Sequence, residues 1–168
     1  LELYRGLEAK GKNIFFSPYS ISTALAMTYE GAKGQTANEM RSVLHFPKDA
    51  NIRRPSFAKI HNLINKDDKK YKLYTANALW AKQDYRFLKE YTSLIARYYT
   101  GKITNLDFEK EPEASRKIIN EWVEDKTNNK IKDLIPKGLI TPLTRLILTN
   151  AIYFKGTWLH PFDKESTR

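Results

Sequence analysis

Cysteine is absent from all 168 residues. That excludes disulfides, zinc–thiolate sites and a cysteine nucleophile. Histidine is scarce. His45, His61 and His160 have no metal-ligand spacing, so surface or interfacial positions are expected for all three and no metal or other cofactor is implied. No apolar run approaches ~18 residues, so nothing spans a bilayer, and no membrane partner is expected. Asn-x-Ser/Thr sequons are missing. No repeat, low-complexity tract or Pro- or Gly/Ser-rich linker interrupts the chain, which implies one domain or part of one. The chain opens on LELYRGLE, a helical pattern without a signal peptide, and this abrupt start points to a missing N-terminal piece.

What is present is a globular composition: 41% hydrophobic and 12% aromatic residues. Positive charge dominates, with a net of +10, and it is uneven. From Arg41 to Tyr74 nine Lys/Arg face three Asp. Such a basic segment suits a polyanion partner or simply a solvated surface. Nothing in it specifies a nucleic acid.

The elements follow from periodicity. Leu1–Leu7 reads as the end of a helix and Asn13–Phe16 as a short strand. Ser17 and Pro18 suit the N-cap and first position of a helix that is apolar nearly all round (Ile21, Ala24, Leu25, Ala26, Met27) and hence buried. Gly31 and Gly34 break it. Thr36 to Glu39 matches a capping box, and Pro47 ends the helix it starts. Phe57, Ile60 and Ile64 form an amphipathic helix after Ser56. Tyr71–Ala81 switches to a period of two with apolar groups on both faces, a strand covered on both sides. Leu88, Tyr91, Ile95 and Tyr98 recur at helical spacing. Lys102–Phe108 is a strand. Pro112 starts a helix buried through Ile118, Ile119, Trp122 and Val123 that ends at Asn128-Asn129.

The last segment, TRLILTNAIYFKGTW (Thr144–Trp158), reads as one extended strand, far beyond the usual ~5–6 residues. Its even positions Leu146, Leu148, Ile152, Phe154 and Trp158 share a face with a lone amide, Asn150. Ile147, Ala151 and Tyr153 make the other face apolar too, so burial on both sides is expected. A buried amide without partners costs about 1–3 kcal/mol. The hydroxyls of Ser17 and Ser20, one helical turn apart, are the expected partners. A polar patch of this kind can pair in two arrangements, which suits a sheet that must open.

Three segments carry a resemblance: NIFFSPYSISTALAMTYEGAKGQTANEM (Asn13–Met40), YTANALWAK (Tyr74–Lys82) and LTNAIYFKGTWLHPFDKEST (Leu148–Thr167). In order and spacing the whole chain resembles the serpins. The resemblance implies an α+β fold with a large central sheet A, smaller sheets B and C and about nine helices. Residues 1–168 would then be a partial domain, from the end of helix A to the third strand of sheet A. Asn150, Ser17 and Ser20 match the family's shutter, where sheet A parts, and Trp158 matches the breach at the top of the same strand. The resemblance further implies a suicide-substrate inhibitor of serine or cysteine endopeptidases. The protease cleaves a reactive loop, and that loop inserts into sheet A of a metastable fold.

The reactive bond is absent from this chain. A fragment, or one chain of a cleaved molecule bound to its C-terminal half, is therefore expected, with a target protease as the partner of the whole. A non-inhibitory carrier or chaperone serpin stays open, because the loop hinge that discriminates is absent. Catalysis is not expected: Ser17 lacks a Gly-x-Ser-x-Gly context, GAKGQT lacks the phosphate-loop order, and Asp67-Asp68 sits in a Lys-rich turn. Arg53, Arg54, Lys59, Lys66, Lys69, Lys70 and Lys72 fall where some family members bind glycosaminoglycans on helix D, so a glycosaminoglycan or other polyanion is a candidate partner. An extracellular location is the expectation, with the cytosol as the alternative.

Overall fold

The computed structural model describes residues 2–7, 16–66, 71–163 and 165–166. The strand expected at Asn13–Phe16 lies almost wholly outside the described residues, as do Lys69, Lys70 and the Asp67-Asp68 pair. The element order is α1 (Glu2–Leu7), α2 (Pro18–Gly31), α3 (Gly34–Leu44), α4 (Ala50–Ile64), β1 (Tyr71–Lys82), α5 (Lys89–Tyr99), β2 (Gly101–Leu106), α6 (Pro112–Lys126) and β3 (Leu146–Gly156).

Local chemistry explains most boundaries. Ser17 caps α2, its Oγ accepting the Ser20 N–H at 3.3 Å, and Pro18 occupies the first turn. Asn128 and Asn129, both with positive φ, follow the end of α6, conformations that asparagine tolerates better than most residues. Two starts differ from expectation. α3 begins at Gly34 after Lys33, so no capping box forms at Thr36; Glu39 instead accepts from the Gln35 amide at 2.7 Å. α4 begins at Ala50, because Asp49 caps it by accepting the Asn51 N–H at 2.8 Å, and it carries Pro55 inside. In α6 the buried stripe is Ser115, Arg116, Ile119, Asn120 and Val123, while Ile118 points outward.

The three strands form one sheet in the order β2-β1-β3. β1 pairs in parallel with β2 and antiparallel with β3, with Leu79 opposite Leu148 and Asn77 opposite Asn150. Directly opposed residues share a face. Leu79 and Leu148 meet Ala26, Met27, Ile95 and Tyr99 of α2 and α5. On the other face Ala78 and Trp80 meet Phe108, Ile119, Ile135 and Ile140. β1 is thus covered on both sides, as its two-faced apolar pattern requires.

Among the described residues β3 is buried only at its middle, at Thr149 and Ala151, while Leu146 and Phe154 are 44% and 65% exposed, so the burial on both sides expected for it is seen only there. Helices cover only its middle, and no strand pairs with its outer edge among the described residues.

A buried carboxylate locks the helical layer. Glu30, at the end of α2, accepts from Arg53 Nε and Nη2 at 3.1 and 3.0 Å and from Arg54 Nε and Nη2 at 3.1 and 2.9 Å. The Tyr99 hydroxyl donates to it at 2.8 Å. Burial pushes the Glu30 carboxyl up. Its hydrogen bonds from Arg54, Tyr99 and Arg53, with the Arg53 charge, outweigh that and hold it below the usual carboxylate range. Three helices, α2, α4 and α5, therefore converge on one side chain. Glu30→Ala leaves the buried Arg53 uncompensated, and a loss of about 3–5 kcal/mol is expected from the denaturation midpoint of the intact protein. A loss below about 1 kcal/mol would assign the cluster the weight of a surface pair.

Candidate functional site

The amide at the centre of β3 does have a buried polar partner, but a different one from that expected. Asn150 Nδ2 donates to Asn77 Oδ1 at 2.6 Å, and Asn77 Nδ2 donates to the Tyr99 carbonyl at 3.4 Å. Asn77 is only 2% exposed. The chain of bonds runs from β3 through β1 to the end of α5, directly across the strand pair.

Ser17 and Ser20 do not take part. The Ser17 hydroxyl is engaged in capping α2, and the buried Ser20 Oγ makes no hydrogen bond to Asn150 or to any other described residue. The physical reason is register. Asn77 sits directly opposite Asn150 in an antiparallel pair, where side chains are closest. Ser20 nonetheless lies buried in α2, the helix that packs on β3, so the polar groups occupy one layer between helix and sheet.

Asn77 was the residue that sequence reasoning missed, although its signal was available. Strict alternation along Tyr71–Ala81 puts Asn77 on the face of Leu73 and Leu79, a second amide on an apolar face. Two such amides on strands expected to be neighbours point to each other.

The polar layer continues along the same face of β1. Thr75, two residues before Asn77, receives Asn65 and His61 from the end of α4. The Thr75 N–H donates to Asn65 Oδ1 at 2.7 Å, and the Asn65 amide donates to Thr75 Oγ1 at 2.9 Å. His61 Nδ1 lies 3.2 Å from both Thr75 Oγ1 and Asn65 Nδ2. Since the Asn65 amide can only donate, Nδ1 accepts and the ring is neutral in this arrangement. Burial pushes the His61 pKa down, which agrees.

The remaining residues singled out from the sequence separate into two groups. Trp158 stands two residues beyond β3 and is 74% exposed, far from the amide pair in sequence but on the same strand line. Among the seven cations, Arg53 is 5% exposed and held by Glu30 and by the Pro47 carbonyl, with its guanidinium 4.6 Å from the Tyr29 ring centroid. Arg54 is bound to the other oxygen of Glu30. Both are structural cations, which corrects their assignment to a polyanion surface. Lys59, Lys66 and Lys72 are exposed. Among the described residues no cluster of three or more His, Cys, Asp or Glu could hold a metal ion.

Comparison with known proteins agrees with this architecture. A family model described as Serpin (serine protease inhibitor) matches residues 1–168. A serpin-like protein of Methanosarcina mazei is 48% identical over 156 residues, which cover 93% of this chain and 37% of that protein. Human Serpin B8 is 42% identical over 163 residues, covering 97% of this chain and 43% of that protein. Among solved structures, ovalbumin from emu superposes with a TM-score of 0.91 at 32% identity, covering 99% of this chain and 47% of that one. The chain spans less than half the length of the relatives it matches.

Two outcomes follow from the polar layer. Asn77→Ala leaves the Asn150 amide without its partner in a half-buried site, and a loss of about 1–3 kcal/mol is expected in denaturant titrations. Asn150→Ala is expected to cost the same range, and the two together less than the sum, because they break one bond. His61 sets a pH dependence. Its folded pKa lies below the ordinary ~6.5, so its contribution is complete above that value and is lost as pH falls through the depressed folded pKa. Melting temperature is therefore expected to fall from about pH 7 to pH 5. His61→Leu should flatten that part of the profile. A profile unchanged by His61→Leu would assign the acid sensitivity to other groups.

Proposed function

The chain belongs to the serpin family, and from that premise we propose that the whole protein inhibits serine or cysteine endopeptidases by reactive-loop insertion, with the Asn150–Asn77 pair as the latch of the sheet that opens. One observation carries this reading. The amide bridge crosses the β1–β3 pairing at its centre, in a polar layer over α2. Polar groups in that layer keep partners while the strand pair shifts, whereas apolar packing has no comparable second arrangement.

Ser17, Ser20 and Asn150 act in this proposal as the shutter, with Asn77 added to them, and Trp158 as the breach where insertion starts. The protein supplies no nucleophile. The protease serine or cysteine attacks the scissile carbonyl of the loop, the peptide bond breaks, and the acyl-enzyme persists because the cut loop moves into the sheet. The loop belongs to the part of the protein outside these 168 residues, so inhibition is an activity of the intact molecule. Its relatives, spread from archaea to human, lend no specific support to an extracellular location.

Incubation of the intact protein with trypsin-, chymotrypsin- and elastase-like enzymes and a papain-like enzyme tests the proposal. A covalent complex stable in SDS is expected with at least one, together with a higher melting temperature for the loop-cleaved protein. Cleavage as an ordinary substrate, with neither complex nor gain in stability, would overturn it in favour of a non-inhibitory member. Asn77→Ala is expected to change the ratio of complex to cleaved product, since it alters the latch and not the loop.

A further inference from the structure

β2 pairs with β1 only from Asn77 to Lys82. Just before that pairing begins, the Thr75 N–H donates to a side chain instead, Asn65 Oδ1 at 2.7 Å. Asn65 is the C-cap of α4, so this bond fastens the end of the helix to the strand. A backbone N–H can only donate, which fixes the amide with its oxygen toward Thr75 and its nitrogen toward His61. Asn65 Nδ2 donates to the His61 carbonyl and to Thr75 Oγ1, each at 2.9 Å, and stands 3.2 Å from His61 Nδ1.

This arrangement holds only while Nδ1 is an acceptor. A proton there sets an N–H and a positive charge against an NH2 group that can only donate. Turning the amide over gives no relief. Its nitrogen then faces the Thr75 N–H, donor against donor, and its oxygen faces the His61 carbonyl, acceptor against acceptor. The surroundings offer the proton no compensation. From α2, Tyr19 approaches Thr75, and burial pushes its pKa up, so it carries no charge near neutral pH. β1 presents Thr75 and, on the same face, Tyr71. From α5, the Tyr99 hydroxyl is committed to Glu30, whose carboxylate is held by Arg53 and Arg54 about two helical turns before His61. On α4 itself Lys59 is exposed. Burial is the cause of the downward shift at His61.

We propose that His61 is a proton-operated catch at the α4–β1 junction: protonated, it drives the Asn65 amide off Thr75 and releases the end of α4 from the strand. The opening is local. Beyond Thr75 the strand stays paired with β2 and β3. The catch lies within α4, β1 and the residue that caps the helix, and it operates whether or not the protein inhibits a protease.

The test is hydrogen exchange of the intact protein, resolved to single amides and corrected for the intrinsic effect of pH. Protection at Thr75 is expected to fall by about tenfold or more between about pH 7.5 and about pH 4.5, while Leu79 in the same strand keeps its protection. His61→Leu is expected to hold Thr75 protection level across that range. Asn65→Asp replaces the amide nitrogen with an oxygen that accepts from a protonated ring. In that variant the sign reverses: the His61 pKa, read by NMR, moves above ~6.5, and acid no longer lowers protection at Thr75. This polar exchange keeps the test readable should His61→Leu fold poorly. Unchanged protection at Thr75 in the unsubstituted protein overturns the proposal, as does an equal loss at Thr75 and Leu79. So does an acid-induced loss that survives His61→Leu, or a His61 pKa that Asn65→Asp fails to raise.

Discussion

The register of β3 against β1 is the constraint on which the rest of the molecule depends. These strands are separated by more than sixty residues, with α5, β2 and α6 between them. Pairing Asn77 with Asn150 places Leu79 on Leu148 and brings both onto the face covered by α2 and α5. A slip of β3 by one residue would turn Asn150 toward the α6 side, away from Asn77, and exchange the side chains on the two faces of β3. The Asn77–Asn150 bond is thus a marker of register. A one-residue slip separates the two amides, and the loss of their bond disfavours it.

Electrostatics divides the basic segment into two parts with different roles. Arg53 and Arg54 turn inward to Glu30, so the α4 end of the segment fastens the helix to α2 and, through the Tyr99 hydroxyl, to α5. Tyr99 then links two polar systems. Its hydroxyl donates to Glu30, and its carbonyl accepts from Asn77. The Glu30 cluster and the amide pair therefore share one residue. Burial and the neighbouring Glu30 carboxylate push the Tyr99 pKa up, so the hydroxyl stays a donor throughout the physiological range. Lys48, Lys59, Lys66 and Lys72 are exposed and form no ion pair among the described residues, so they lend their charge to the surface.

The polar patch illustrates how far residue patterns carry. Alternation in TRLILTNAIYFKGTW places Asn150 on an apolar face and demands a buried partner, and that demand is met. The choice of partner went wrong because helical spacing brought Ser17 and Ser20 together, whereas strand register, invisible in either segment alone, brought Asn77 closer. Capping misled in the same way at Thr36, where a good local motif lost to a helix that starts two residues earlier. Burial of β3 on both faces is seen only at its middle among the described residues, because an apolar pattern reports what a strand could bury and not what packs on it.

By itself the sequence determined the family, the α+β class, the buried helix behind Ser17-Pro18, the two-faced central strand and the presence of a polar site on Asn150. Each of these rests on local spacing or on contiguous motifs, which survive without knowledge of the neighbours. Tertiary structure alone decided which amide Asn150 meets, and which cations face Glu30 and which face water. Those outcomes depend on register and helix orientation, set by packing between segments far apart in the chain, where no periodicity within one segment can report them.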